Sequence, residues 1–352
     1  MDKPGGNLRG RGAASNPKNR FTTISAERFE DYDPSEDPSP RTQFIADASA
    51  TVINYNDSPD IPFNASINVY RGCEHGCAYC YARPFHEYLG FSPGLDFETK
   101  IVVKYNAPEL LREELSSPKW QPQNVAMSGV TDCYQPAERR LQLTRRCLEV
   151  FAEFRNPVGI VTKNHLVTRD LDLFAELARF NCAAVYVSIT TLDAELAPKL
   201  EPRASLPAMR LAAIRKLSEA GVPVGVMTAP MIPGLNDQEM ASILEAAAEA
   251  GAKFAGLVPL RLPFGVKEIF VDWLTRHYPD RKENVLNRLR SLRGGKLNNA
   301  DFGSRMTGEG VWAEQLRQMF DIKSRKLGLI ERGAGLSTAH FRRPGGRQME
   351  LL

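Results

Sequence analysis

Three of the chain's six cysteines fall in the run CEHGCAYC, as Cys73, Cys77 and Cys80. The spacing is C-x₃-C-x₂-C, directly after a β-branched run, ASINVYR. The first twenty residues have no apolar core of the kind a secretory signal carries, so clustered thiols read as metal ligands rather than disulfide halves. Three thiolates on a tight loop can bind three irons of a cubane and leave the fourth iron without a protein ligand, open to a small chelating molecule. Zinc is the alternative, with His75 as a fourth donor. Cys73, His75 and Cys77 stand two residues apart, which makes convergence on one tetrahedral ion difficult. Spacing alone leaves both readings open. Cys133, Cys147 and Cys182 are scattered and read as small buried hydrophobes.

A loop that holds a metal needs elements to position it, and the sequence has a regular rhythm of them. Apolar runs at 65–71, 124–130, 158–163, 183–190, 222–230 and 254–260 alternate with helix-period segments. Those segments are 138–154, 170–180, 207–220, 237–250 and 266–277, with Asp170 placed to cap its helix and Gly221 and Gly251 placed to stop theirs. A short extra run, IVVK (101–104), precedes the helical APELLREEL. Strands separated by helices pair in parallel, in either a doubly wound sheet or a barrel. Residues 1–60, rich in Gly, Pro, Asp and Ser, predict an irregular or disordered segment, with order beginning near Ala65. Residues 61–275 carry the rhythm. Residues 276–352 read as a basic extension with helices at 281–293 and 311–327 and a flexible tail.

The pattern C-x₃-C-x-aromatic-C, with Tyr79 at the aromatic position, resembles the signature of the radical S-adenosylmethionine (SAM) superfamily. Over about residues 60–275, the strings INVYRGCEHGCAYCYAR, GVTDCYQPAE, SITTLD, LEPRA and PMIPGLND resemble its spore photoproduct lyase-related branch, often labelled DNA repair photolyase-like. The resemblance implies an α/β fold, a partial (β/α)₆ TIM-type barrel, with a [4Fe–4S] cluster on Cys73, Cys77 and Cys80. It implies SAM at the open iron, cleaved by one electron to a 5′-deoxyadenosyl radical, and an electron donor such as flavodoxin or ferredoxin. It also assigns cofactor contacts. Tyr79 would meet the adenine through its backbone, Ser128, Gly129, Thr131 and Asp132 would lie near the methionine moiety, and Lys163 and Ser188 would bind the carboxylate and ribose region. Pro230 would lie against the adenine.

Gln135, Glu138, Glu201 and Arg203 follow barrel strands and are candidates for the substrate end, with a Glu201–Arg203 ion pair as the other reading. The cysteine through which the lyase returns a hydrogen aligns with Gly129, and this departure argues against transferring the repair reaction. Cys133, four residues on, is a candidate thiol donor or a structural cysteine.

The net charge of +3 hides basic ends: residues 276–347 hold sixteen Lys/Arg against seven Asp/Glu. Such ends suit a polyanion or are solvated surface. The last five residues, Gln348–Leu352 (QMELL), loosely resemble a peptide that binds the sliding clamp. No run approaches the ~20 apolar residues of a membrane span, so the expected location is cytoplasmic. Three functions remain open: a radical SAM enzyme on nucleic acid, one on a protein or small molecule, or a non-catalytic iron–sulfur or zinc protein.

Overall fold

Parallel strands covered on both faces are apolar throughout rather than alternating, and the run AAVYVS is buried along nearly its whole length. In the computed structural model, which describes residues 8–22, 40–127, 129–329 and 333–344, such runs build the frame. The strands are β1 (Gln43–Ala46), β2 (Ile53–Tyr55), β3 (Ala65–Ile67), β4 (Tyr70–Arg71) and β5 (Lys100–Val103). They continue with β6 (Val125–Met127), β7 (Val158–Thr162), β8 (Ala183–Ser188), β9 (Val224–Met231) and β10 (Phe254–Pro259). The larger sheet runs β10-β9-β8-β7-β6-β3-β2. From β3 to β10 every pairing is parallel, while β2 joins β3 antiparallel. β10 and β2 are its edges, so the six parallel strands form a partial barrel. A second sheet, β1-β5-β4, stands beside it.

The crossover helices lie close to where hydrophobic period put them, at Leu143–Phe154, Leu171–Ala178, Pro207–Glu219 and Met240–Glu249. The segment expected as one helix over 138–154 is broken at Gln142, whose φ of 51° ends the turn Glu138–Leu141 and starts the longer helix. Asp170 does not cap its helix. Its carboxylate instead accepts from Tyr134 Oη at 3.0 Å and from Arg145 at 3.0 Å, charged and buried partners that outcompete an N-cap. Gly221 and Gly251 do take the left-handed conformation of a helix stop, with φ of 72° and 101°.

Order begins well before Ala65. β1 extends the small sheet through β5, and β2 extends the large one. Residues 8–20 form an irregular strap whose backbone finds its partners on other elements, which is how a segment too polar to form a core can still be fixed. Gly12 N–H and Ala13 N–H donate to the Glu98 carboxylate at 3.1 and 2.9 Å, and Leu95 N–H donates to Ser15 O at 3.2 Å. Beyond β10, the helices Val266–His277, Pro279–Leu292 and Gly310–Lys326 pack a second apolar cluster around Phe270, Trp273 and Leu289. Cys77 and Tyr79 belong to that cluster, so the extension is part of the wall behind the cysteine loop. Gln348–Leu352 and Ser128 lie outside the described residues.

Candidate cluster and cofactor site

The cysteine loop leaves β4 at Gly72 and turns on two glycines that side chains could not replace. Gly72 has φ of 82°, and a Cβ there would stand 2.9 Å from Phe97 O. Gly76 has φ of 66°, and a Cβ would stand 2.8 Å from Glu98 Oε2. Arg83, fully buried, clamps the turn. Its guanidinium donates to Cys77 O at 2.8 and 3.1 Å and pairs with Glu98 at 2.5 Å. Glu98 in turn receives the N-terminal strap, and a Cβ on Gly12 would fall 1.8 Å from Gly76 O. Loop, buried ion pair and strap are therefore one packed unit.

Cys73, Cys77 and Cys80 are free thiols. Burial, reinforced by Glu201, pushes the Cys77 thiol well above its usual range, and burial with Cys73 nearby raises Cys80. Buried thiols in this state ionise only when a metal cation takes the proton's place. Among the described residues no three His, Cys, Asp or Glu groups converge on one ion-sized point. A cubane takes its three thiolates on three different irons, so it does not need that convergence. Zinc through His75 fails on the ring itself. Nδ1 lies 3.3 Å from Asp132 Oδ2, and Nε2 lies 3.1 Å from Asn164 Nδ2. Burial would lower the ring's pKa, but Asp132 and Cys73 outweigh burial and bring it up to about 10, so the ring is held protonated with no lone pair for a metal. The donor set fits the cluster.

Asp132 joins three loops. Its carboxylate accepts from Thr162 Oγ1 and Lys163 N–H at 2.8 Å and from Tyr134 N–H at 2.9 Å, besides His75. Burial alone would raise its pKa, but His75 and the other donors outweigh burial and bring it to about 2. All its acceptor capacity is used, so Asp132 positions the loops rather than reaching a ligand. Thr131 donates to Gly72 O at 2.8 Å, beneath the cysteine loop.

Lys163 and Ser188 stand at the C-terminal ends of β7 and β8 and are different in kind. The Lys163 ammonium lies 5.8 Å from the Tyr79 ring centroid and makes no hydrogen bond or ion pair with the described residues. Burial lowers its pKa, while Cys77 and Glu201 raise it to a net increase, so it stays charged. Ser188 Oγ likewise has no partner among the described residues, although Ser188 O accepts from Arg210 at 3.0 Å. Pro230 lies half-buried near the end of β9, its carbonyl held by Asn236 at 3.1 Å. A free cation and a free hydroxyl on neighbouring strand ends are what an anionic, hydroxylated ligand requires.

The substrate-end candidates are placed otherwise. Gln135, fully buried, donates to Gly72 O and receives Glu74 N–H at 2.9 Å, holding the cysteine loop from below. Glu138, also fully buried, accepts from Tyr70 Oη, Thr144 N–H and Arg169 in the barrel wall. Glu201 does not pair with Arg203. It takes Arg210, Tyr79 Oη and Thr190 Oγ1, while Arg203 pairs with Glu74 at 3.0 Å. The Cys133 side chain is 1% exposed within the main hydrophobic core, not on the mouth. Gly129 has room for a side chain: a Cβ there would make ordinary contacts, 3.6 Å from Ser66 and 3.7 Å from Asn68.

Sequence reasoning passed over Tyr81, Arg83, Arg210 and Arg261. Arg83 and Arg210 gain meaning only through long-range partners. Tyr81 follows Cys80 directly, which was a visible signal. Its ring is exposed and its hydroxyl donates to Gly129 O at 2.9 Å, closing the cysteine loop against the loop after β6.

A family model described as the Radical SAM superfamily matches residues 67–247. An uncharacterized protein of Mycobacterium tuberculosis is 40% identical over 234 residues, 66% of this chain and 68% of its own length. An uncharacterized protein of Methanocaldococcus jannaschii is 33% identical over 173 residues, 49% of this chain and 62% of its own. Among solved structures, spore photoproduct lyase complexed with dinucleoside spore photoproduct superposes with a TM-score of 0.60 at 18% identity, covering 81% of this chain and 80% of that one. A variant with bound AdoMet and the same dinucleoside superposes at 0.59. At that identity the likeness is one of fold.

Proposed function

The chain belongs to the radical S-adenosylmethionine superfamily, and from that premise we propose that Cys73, Cys77 and Cys80 carry its [4Fe–4S] cluster and that Lys163 and Ser188 receive the SAM bound at the open iron. Enzymes of this superfamily use both cofactors and require an electron donor, so the non-catalytic reading is set aside. When bound, the cluster supplies the electron that cleaves SAM to a 5′-deoxyadenosyl radical.

What the chain's residues contribute is placement. Lys163 offers a point charge to the SAM carboxylate, and Ser188 offers a hydroxyl to its ribose region. Asp132 and Gln135 fix the loops that carry these groups. Arg83, Glu98 and the strap keep water from the back of the cysteine loop. The observation that carries the reading is the pairing of three free thiols, two buried and one half-buried, with an ammonium that has no ion-pair partner among the described residues, at the mouth of six parallel strands.

The substrate we infer is nucleic acid. The fold is shared with a lyase solved with a dinucleoside photoproduct, and the C-terminal extension is basic. The repair reaction is not carried over, because Gly129 stands at the donor position and Cys133 is sealed in the core. Anaerobic incubation of the reconstituted enzyme with SAM, reductant and DNA or RNA in deuterated solvent tests this. Mass change or deuterium in nucleic acid is expected, and turnover of SAM that never marks nucleic acid would refute it.

A further inference from the structure

Arg261, just past the end of β10, carries a guanidinium that no carboxylate among the described residues pairs with. It lies 5.9 Å from the ring centroid of Tyr81, the residue after Cys80, and so stands at the mouth. Its Nη1 donates to the thioether of Met306 at 2.9 Å, a weak acceptor. Its Nε is buried without a hydrogen-bond partner. No carboxylate among the described residues pairs with it, since Asp60 is already held by Arg305 at 2.5 Å.

The surroundings concentrate charge rather than relieve it. Arg293, 2% exposed, donates to Leu260 O at 2.9 Å and to Ser304 O and Arg305 O at 2.9 and 3.0 Å. It thereby clasps the residue before Arg261 to the segment bearing Arg305, against the repulsion of the cations, and its own Nε also lacks a partner. Burial first, then Arg305, depress the Arg261 pKa, with Tyr81 and Asp60 acting weakly the other way. Among the described residues, Glu309 also reaches this cluster, through Arg293. A buried donor left unpaired in a gathered set of arginines points to an ion supplied from outside.

Each of the two outer guanidiniums has an exposed ring beside it. Tyr81 is 48% exposed and Phe302 63% exposed, and Arg305 lies 4.5 Å from the Phe302 ring centroid. Cations that follow a backbone, interleaved with aromatic faces, are how single strands are held. A guanidinium donates well to a phosphate; Arg305 already gives Nε to Asp60 and Nη2 to Ser58 and has Nη1 left, while Arg261 has no charged partner among the described residues. We propose that Arg261 and Arg305 form a phosphate subsite for one strand of nucleic acid, with Tyr81 and Phe302 as stacking platforms that lead the strand to the cluster loop. This deepens the reading of the chain as a radical enzyme on nucleic acid and rests on it.

The test is fluorescence anisotropy of a labelled oligothymidylate of about twenty nucleotides, titrated with the anaerobically reconstituted holoenzyme and with R261Q, R305Q and F302A. Each arginine variant is expected to weaken binding about tenfold and to lower the slope of log affinity against log salt by about 0.7. F302A is expected to weaken binding with the salt slope unchanged. Its ring is largely exposed, so it keeps the test alive should R261Q melt early. Wild-type affinity in all the folded variants would overturn the subsite, as would tighter binding of poly-glutamate than of the oligonucleotide. SAM cleavage by the wild type is measured in the same preparation. Cleavage without oligonucleotide binding removes the subsite alone, whereas binding through Arg261 without cleavage removes the radical reading alone.

Discussion

Lys163 keeps its charge because Cys77 and Glu201 face it, yet no described residue forms an ion pair or hydrogen bond with its ammonium. Replacing it with Met should leave the cluster's visible absorbance intact and weaken SAM binding about tenfold to a hundredfold, the worth of one charge-assisted hydrogen bond. Equilibrium dialysis checks this, and unchanged SAM affinity would contradict the assignment. Glu201 makes a different prediction. Burial raises its pKa, but Arg210 and Lys163 outweigh burial and bring it from 4.5 to about 2. A carboxylate depressed in the folded state stabilises fully above its unfolded pKa and loses that contribution as pH falls towards the folded one. The stability from Glu201 should therefore disappear between pH 4.5 and about 2. In E201Q the melting temperature should be lower at neutral pH, by a loss of about 3 kcal/mol from the unpaired Arg210, and should fall less steeply on acidification. The two thiol positions separate cleanly as well. C133A should cost about 1 kcal/mol of core packing and leave SAM cleavage in place. G129C should fold normally and react with iodoacetamide at the mouth.

At the scale of elements, the cysteine loop is as much a product of the strap and Glu98 as of its own glycines. G12A would drive a methyl into Gly76 O, 1.8 Å from the ideal Cβ position, with backbone on both sides and nowhere to yield. The strap should then lift from the loop, and the reconstituted cluster should bleach in air severalfold faster than in the wild type, followed by its visible absorbance. Equal bleaching rates would show that the strap does not shield the cluster. This contact also marks the limit of what sequence conveys. The six strand runs and the three-cysteine loop were legible because each is a local pattern: period, β-branching, spacing. The break at Gln142 was not, because nothing in the residue type requires φ of 51°. β1 and β2 were hidden in a polar stretch whose pairing partners lie elsewhere in the chain, on β5 and β3. Gln135 and Glu138 follow a barrel strand as a substrate residue would, yet their side chains turn inward. Sequence position alone cannot give that direction.

For the molecule as a whole, the partial barrel leaves β10 at an edge, and the C-terminal helices turn back over it with the segment that holds Arg293 and Arg305. The family match ends at residue 247, so β10 and the extension lie outside the segment that identifies the family. The central claim is an open-site cluster on Cys73, Cys77 and Cys80 that cleaves SAM. Its most direct test is anaerobic reconstitution with iron and sulfide, followed by reductant, SAM and quantification of 5′-deoxyadenosine. 5′-Deoxyadenosine is expected from the wild type, with loss of both the brown colour and the product in C73A, C77A and C80A. A fully clustered wild type that yields none, or cleavage that survives any one of these three substitutions, would contradict it.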